Sequence, residues 1–572
     1  MALVAVSCGG GGESKPVATI RPSITAAPPP TAVSAATAQS AVPTAAAAPT
    51  GSIFDKAEIA KPELTGIRYG SVLRQQENNT LGSLDPKLST GTPILLYTNL
   101  AADKLVVWQP NLDNLLSYIG PALAESWTVS DDLKTYTFKI RKGVKWQNIA
   151  PVNGRELTVD DVVFSINRYA EKDSIYADTY SQIESVASLD SSTVVVKLKQ
   201  PNAWAINELF GDSDIILPPE FVKESGGNLS TKIIGTGPYI LKDYKFRIGA
   251  SYVRNPTYWQ KDVNGNALPY LDGVEITIIS EVGTIVAAMR TGQLDRAALR
   301  PGPIQQLAKS VPDLRLFIAT FATSDGLAFN SRKAPWNDVR VRRAFSMALD
   351  RNQVSQALNE SKWVFNGPMP WSLVSDEPFT YDKLGPYYKY DPDASKKLLI
   401  EAGFPDGKFK TAGVRLEFGA PTYTALAQVL QDSLKKNGIE FDLLSLDNSA
   451  YQQKWFFRTY DNLTLNHWIA PDYTLSWFAR IKFATSGPQN ISFIESPQVD
   501  EIIRSIKVTT DPAKLKQYGK ALWDFDTLGA YSLWVGQQQG YTPAASRVRN
   551  LMLRVGVVRV FPWLADAPRT AP

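Results

Sequence analysis

The chain has 572 residues, with 60 Lys and Arg against 56 Asp and Glu, one histidine and one cysteine. Both signs of charge are interleaved, which excludes the concentrated basic stripe that tracks nucleic acid, and a lone cysteine excludes an intrachain disulfide. With His467 as the only histidine, no His-Cys metal cluster, no H-E-x-x-H and no Ser-His-Asp arrangement with a spare base can be assembled. Neither G-x-S-x-G nor G-x-x-x-x-G-K occurs. Paired-carboxylate chemistry stays open because Asp and Glu are plentiful, although nothing in the sequence selects a pair.

Cys8 follows the short apolar run Leu3, Val4, Ala5 and Val6 with small Ser7, and four glycines follow it. This run is similar to the cleavage box of bacterial lipoproteins. The similarity implies that residues 1–8 are the remnant of an export signal starting farther upstream and that Cys8 is the lipid attachment point. The alternative is a chance cysteine near a disordered N-terminus. Residues 9–50 contain little beyond Ala, Pro, Ser, Thr and Gly, too little apolar surface to offset the entropy of ordering. Residues 9–63 are therefore expected to form a disordered tether, whose first forty residues have a reach on the order of 35–40 Å. No later segment has eighteen uninterrupted apolar residues, so the body has no spanning helix and reaches a membrane only through Cys8.

The body alternates strand and helix signals, which predicts an α/β fold. Tyr136, Phe138 and Ile140, and later Val194, Val196 and Leu198, alternate with more polar residues as half-buried strands do. Thr158 to Asp161 forms a capping box ahead of a helix that carries Val162, Ile166 and Tyr169 on one face. Gly235-Thr-Gly-Pro238 is a turn, with the glycines supplying unusual dihedrals. Asn337 is expected to cap a helix that buries Val341, Phe345, Ala348 and Leu349, with Arg340, Arg342 and Arg343 on solvated or salt-bridged faces. Asp391-Pro392 and Asp511-Pro512 each start a helix with a cap followed by proline. Leu426, Val429, Leu430 and Leu434 mark a helix ending at Gly438, and a strand through Ile439, Phe441 and Leu443 follows.

Four blocks, in order, resemble the family-5 extracellular solute-binding proteins of ABC importers. They are Pro121-Ala-Leu-Ala-Glu-Ser-Trp127 with Asp132 to Trp146; Gly235 to Tyr239 with Arg254-Asn-Pro-Thr-Tyr-Trp259; Asn330 with Asp338 to Asp350; and Asp391 to Gly403. Together they extend the resemblance from about residue 64 to about residue 563. It implies two lobes that close on ligand about a hinge, with an extra inserted domain. Lobe I would combine 64–99, 223–314 and 531–572; the inserted domain would be 100–222, and lobe II 315–530.

The densest aromatic stretch runs from Tyr451 to Phe478. Most of its rings are expected in the core, and a few in the cleft, where flat side chains accept varied ligands. Peptide-binding members carry a Trp followed closely by an Asp that pairs with the ligand ammonium, which points to Trp468 and Asp472. Pro471 lengthens that spacing by one residue, so Asp472 also matches a second, structural Asp of the motif. Tyr473, Trp477 and Asn330 complete the expected ligand-binding set. The region corresponding to the carboxylate-binding base of dipeptide binders, 419–428, holds no Lys or Arg. A longer peptide or a non-peptide solute is therefore favoured over a free dipeptide.

The resemblance thus implies a monomeric, membrane-anchored extracytoplasmic receptor that captures a peptide-like solute for ABC permease subunits. It implies no catalytic residue, metal or cofactor. An oligosaccharide or metal chelate in the same cleft, a carboxylate-dependent hydrolase and a sensory receptor remain the alternatives.

Overall fold

The computed structural model describes residues 53–570 except 60, 79–81, 89–91, 111–116, 211–213, 320–322, 359–362, 365–366, 378–382, 421–422, 470–473, 539 and 552–560, all within the unit Ser52–Pro572. The expectations for Cys8, the N-terminal tether as far as residue 52, Asp472 and Tyr473 lie outside the described residues.

The strands Thr135–Ile140 and Thr193–Leu198 form as their alternation requires. Tyr136, Phe138, Val194 and Val196 are fully buried while Lys139 and Lys197 stay outside. They are the inner strands of an antiparallel sheet ordered Ala124–Val129, Thr135–Ile140, Thr193–Leu198, Ile183–Asp190. Helix Val159–Tyr169 adds Val162, Ile166 and Tyr169 to the same core. Its capping box closes where the Thr158 amide donates to Asp161 Oδ2 at 2.9 Å.

That core continues through Leu73, Tyr252, Val274 and Ile276 of a second sheet, ordered Tyr239–Lys245, Gly249–Arg254, Gly273–Ile278, Val72–Glu77. One apolar cluster therefore serves both sheets. Gly235 and Gly237 lie in this body, and the reason for glycine differs from the expected one. Neither has a positive φ, but a Cβ on Gly237 would stand 2.5 Å from the Ala101 carbonyl carbon. Backbone proximity to the helix Thr92–Ala101, not dihedral freedom, demands glycine there.

A third, six-stranded sheet is ordered Trp363–Val364, Ser532–Gln538, Thr323–Phe329, Leu463–Ile469, Phe409–Ala420, Ile439–Asp447. Helices Val339–Ala348, Pro392–Glu401 and Thr424–Lys436 bury Phe345, Leu399, Leu430 and Leu434 with its Leu327, Leu416 and Leu465. A separate cluster joins Leu475, Phe478, Val499, Ile506, Leu522 and Trp523 from helices Leu475–Phe478, Pro497–Lys507 and Pro512–Gly529. The Asp-Pro starts hold: Asp391 accepts from the Ala394 amide, and Asp511 from the Ala513 and Lys514 amides.

Two details correct the sequence reading of 337–343. The cap of Val339–Ala348 is Asp338, which accepts from the Arg340 amide at 2.8 Å, while the Asn337 amide closes the preceding turn on the Lys333 carbonyl. Arg342 is not solvated: it is buried, donates to the Gly529 and Trp336 carbonyls and stacks 4.7 Å over Tyr531. Gly529 and Tyr531 lie at and just beyond the end of helix Pro512–Gly529, so no local pattern could have revealed those two partners.

The chain passes between sheets twice, side by side. Arg315–Ala319 pairs with Glu58–Ile59 and Gly540–Ala544, whereas the following Thr323–Phe329 and the preceding Ser532–Gln538 pair within the six-stranded sheet. Ser532–Gln538, which the sequence reading grouped with 540–572, is thus hydrogen-bonded within the six-stranded sheet, while Gly540–Ala544 pairs with Arg315–Ala319.

Candidate ligand-binding site

Three neighbouring strands of the six-stranded sheet, Phe409–Ala420, Ile439–Asp447 and Leu463–Ile469, run parallel and end at the same edge. The crevice beyond the carboxyl ends of parallel strands is where α/β sheets place ligands. Both chain passages leave from this edge, because Thr323 is the register partner of Ile469 and Gly536 that of Asp325.

The expected site residues separate along this sheet. Trp468 is the second-last residue of the strand Leu463–Ile469, paired in register with Ser324. Trp477 is half-buried on the short helix Leu475–Phe478, edge-on to Phe478 with ring centroids 5.1 Å apart. Asn330 is not brought to this edge. It sits at the other end of the seven-residue strand Leu463–Ile469, roughly 20 Å away. There its backbone amide donates to the Asn462 carbonyl, and Nδ2 donates to the Tyr460 and Asp461 carbonyls. Asn330 holds a turn.

Among the described rings of the aromatic stretch, most are core. Tyr451, Trp455 and Tyr460 are buried in one cluster with Ile491 and Phe493, and Phe478 is buried in another. Phe457 is 75% exposed. Tyr451 donates its hydroxyl to the Leu465 carbonyl at 2.7 Å and lies 5.9 Å from the Tyr423 ring.

Tyr423, just beyond the end of Phe409–Ala420, shows what surrounds the edge. Burial first, and then Tyr451 and Asp325, push its phenol well above the ordinary range, while Arg300 acts against them. Arg300 is exposed and precedes helix Pro301–Ser310. A cation from the first body and a carboxylate from the second therefore act on one phenol. Deeper in the first body, Arg296 Nη2 meets Glu77 Oε1 at 3.1 Å, and burial pushes the Glu77 carboxyl up against the pull of that arginine. Sequence reading found none of Arg296, Arg300, Asp325, Glu77 or Tyr423, since no motif marks them and their grouping depends on the strand ends.

A cavity of about 350 Å³ lies elsewhere, lined only by first-body residues that include Asp103, Trp108 and Trp259. Asp103 accepts there from Thr236 Oγ1 and Trp259 Nε1. Among the described residues no group of three or more His, Cys, Asp or Glu could hold a metal ion, and no helix is long and apolar enough to cross a membrane.

Residues 119–489 match the sequence model of the bacterial extracellular solute-binding proteins, family 5. The chain belongs to this family. Relatives in sequence include heme-binding protein A of Haemophilus influenzae, 28% identical over 360 residues covering 59% of this chain and 63% of that protein. Di/tripeptide-binding protein 2 of Pseudomonas aeruginosa is 27% identical over 69% of this chain and 76% of its own length. The glutathione-binding protein GsiB of Escherichia coli K12 is 26% identical over 70% of this chain and 77% of its own. This family-5 chain thus spans just under two thirds of the length of the Haemophilus protein.

Solved structures give the fold. The periplasmic binding protein DppA of Helicobacter pylori, in complex with the peptide STSA, superimposes with a TM-score of 0.76 at 24% identity, over 87% of this chain and 99% of that one. The dipeptide-binding protein of Pseudoalteromonas sp. SM9913, in complex with Met-Leu, gives 0.73 at 22% identity, over 87% and 100%. The family-5 chain has the α/β fold of the periplasmic binding proteins, in agreement with the two-lobed class expected from the sequence.

Proposed function

We propose that the protein is the solute-binding component of an ABC importer, that it takes a peptide-like solute at the carboxyl edge of the six-stranded sheet, and that closure of its two lobes delivers the solute to membrane permease subunits. No bond is made or broken in this reading. The observation that carries it is the family match together with the strand-end edge at which the strand bearing Trp468 terminates. Relatives named for di- and tripeptides and for glutathione favour a peptide-like ligand. Opposed charges suit such a ligand, since the exposed Arg300 can receive a carboxylate while Asp472 can receive an ammonium through charge-assisted hydrogen bonds. The lobes are formed by the first two sheets, with 100–222 as an extension of lobe I, and by the six-stranded sheet with its helices. A lipid on Cys8 holds the receptor at the outer face of the membrane as a monomer.

Thermal-shift titration with a defined set of di- to pentapeptides tests the reading on the parent and on Asp472→Ala. The parent is expected to gain several degrees with at least one peptide, and Asp472→Ala to lose most of that gain. Equal gains would remove Asp472 from the site, and no gain with any peptide would remove the peptide reading. Cys8→Ser is expected to release a protein that still binds but no longer supports uptake.

A further inference from the structure

The first body and the helical end of the second have separate apolar cores. Ala205, Leu209 and Phe210 belong to the cluster of the first two sheets, and Leu475, Phe478 and Ile506 to that of the helices. Among the described residues, polar contacts join them at one place. Ser476 Oγ donates to Glu208 Oε1 at 2.7 Å, the Ala203 amide donates to the Lys507 carbonyl at 2.8 Å, and Trp204 Nε1 donates to the Ile506 carbonyl at 3.0 Å.

Each side is prepared for this contact from within. Asn202 Nδ2 donates to the second Glu208 oxygen at 3.1 Å, its Oδ1 accepts from the Trp204 amide at 3.0 Å, and its carbonyl accepts from the Tyr136 hydroxyl. The carboxylate is thus aimed by its own body. On the other side Ser476 belongs to the helix that carries Trp477, whose start is capped by Thr474. That helix runs into the π-helical turn Ala479–Phe483, a local irregularity often found at functional positions. Arg480 on this turn places Nε 4.0 Å from Glu208 Oε1, and that buried Nε makes no hydrogen bond.

The Glu208 side chain is fully buried in this contact. A carboxylate buried between two separate cores and held by hydrogen bonds is costly unless its partners stay in place. Water can replace them if the bodies part, so the contact is reversible in a way that a shared apolar core is not. The unsatisfied Arg480 donor leaves room for a further gain if the two bodies approach more closely.

We propose that Glu208 and Ser476 form an interlobe clasp that sets the balance between closed and open forms, and that it does so through the helix bearing Trp477. The clasp rests on the two-lobed solute-binding reading given above. Glu208 is a positioning residue: it touches no solute and acts through Ser476 and Arg480.

Electron spin–spin distances between labels at Leu189→Cys and Phe457→Cys, in a Cys8→Ser background, test the clasp. The two positions are 71% and 75% exposed and lie on the two bodies. In the ligand-free protein Glu208→Ala is expected to lower the closed-to-open ratio roughly tenfold, the equivalent of one charge-assisted hydrogen bond. Ser476→Ala, which removes a single hydroxyl and preserves the fold, is expected to shift the distribution in the same direction by a smaller factor. Combining the two should add little to Glu208→Ala alone. Distance distributions in both variants identical to the parent would overturn the clasp. Tetra-alanine, added as probe, separates this from the peptide reading: if it leaves all distributions unchanged while Glu208→Ala still opens the ligand-free protein, the clasp stands and the peptide reading loses support.

Discussion

Trp534 donates from its indole Nε1 to Asp526 Oδ2 at 2.7 Å, with both side chains buried. The space around this pair also holds Lys482, whose ammonium lies 5.7 Å from the Trp534 ring. Burial dominates: it pushes the Asp526 carboxyl up to about 7, against the pull of Trp534, Lys482 and Arg342, and pushes Lys482 well down.

The pH dependence follows in sign. Asp526 has a higher pKa folded than unfolded, so the folded state binds the extra proton between about pH 4 and 7. Its contribution to stability is complete below the unfolded value and is lost as pH rises through about 7. Lys482, lowered in the fold, works with the opposite sign as pH rises toward its unfolded value. Asp526→Asn is therefore expected to become progressively more stable relative to the parent from pH 4 to pH 7. Melting temperatures across that range measure the difference; a constant offset would contradict the assignment.

Gly237 tests the packing of the first body. A methyl group there meets the Ala101 backbone at 2.5 Å, whereas one at Gly82 meets nothing within 4 Å. Gly237→Ala is expected to cost about 1–3 kcal/mol, as overpacking does, and Gly82→Ala to be near neutral. Denaturant unfolding of both variants gives the comparison, and equal stabilities would remove the close-approach explanation.

Asn330 separates fold from site. Because Nδ2 holds two carbonyls of the 460–462 turn, Asn330→Ala is expected to lose about 1–3 kcal/mol of stability, the cost of leaving buried acceptors unpaired. Peptide affinity should stay within about twofold, since the residue stands at the far end of its strand. Calorimetric titration beside a melting curve reads both, and a large loss of affinity at unchanged stability would return Asn330 to the site.

Local signals explain what was legible in the sequence. The alternation around Tyr136 and Val194 and the Asp-Pro caps at Asp391 and Asp511 reflect interactions within a few residues, and the corresponding elements formed. Arg342 was misread because a periodic face says nothing about a carbonyl arriving from Gly529. Asn330 belonged to a motif, yet its hydrogen bonds show a turn, which residue type alone does not distinguish from a ligand contact. The grouping of Arg300 and Asp325 around Tyr423, and the joining of Glu208 to Ser476 across 268 positions, arise only when the strand ends and helices meet.

The central claim is capture of a peptide-like solute, and native mass spectrometry of gently purified protein tests it most directly. The account predicts bound masses forming a ladder of amino-acid residue increments, displaced by added peptide and diminished in Asp472→Ala. A hexose-spaced ladder, or a single non-peptide mass that peptides do not displace, would contradict it.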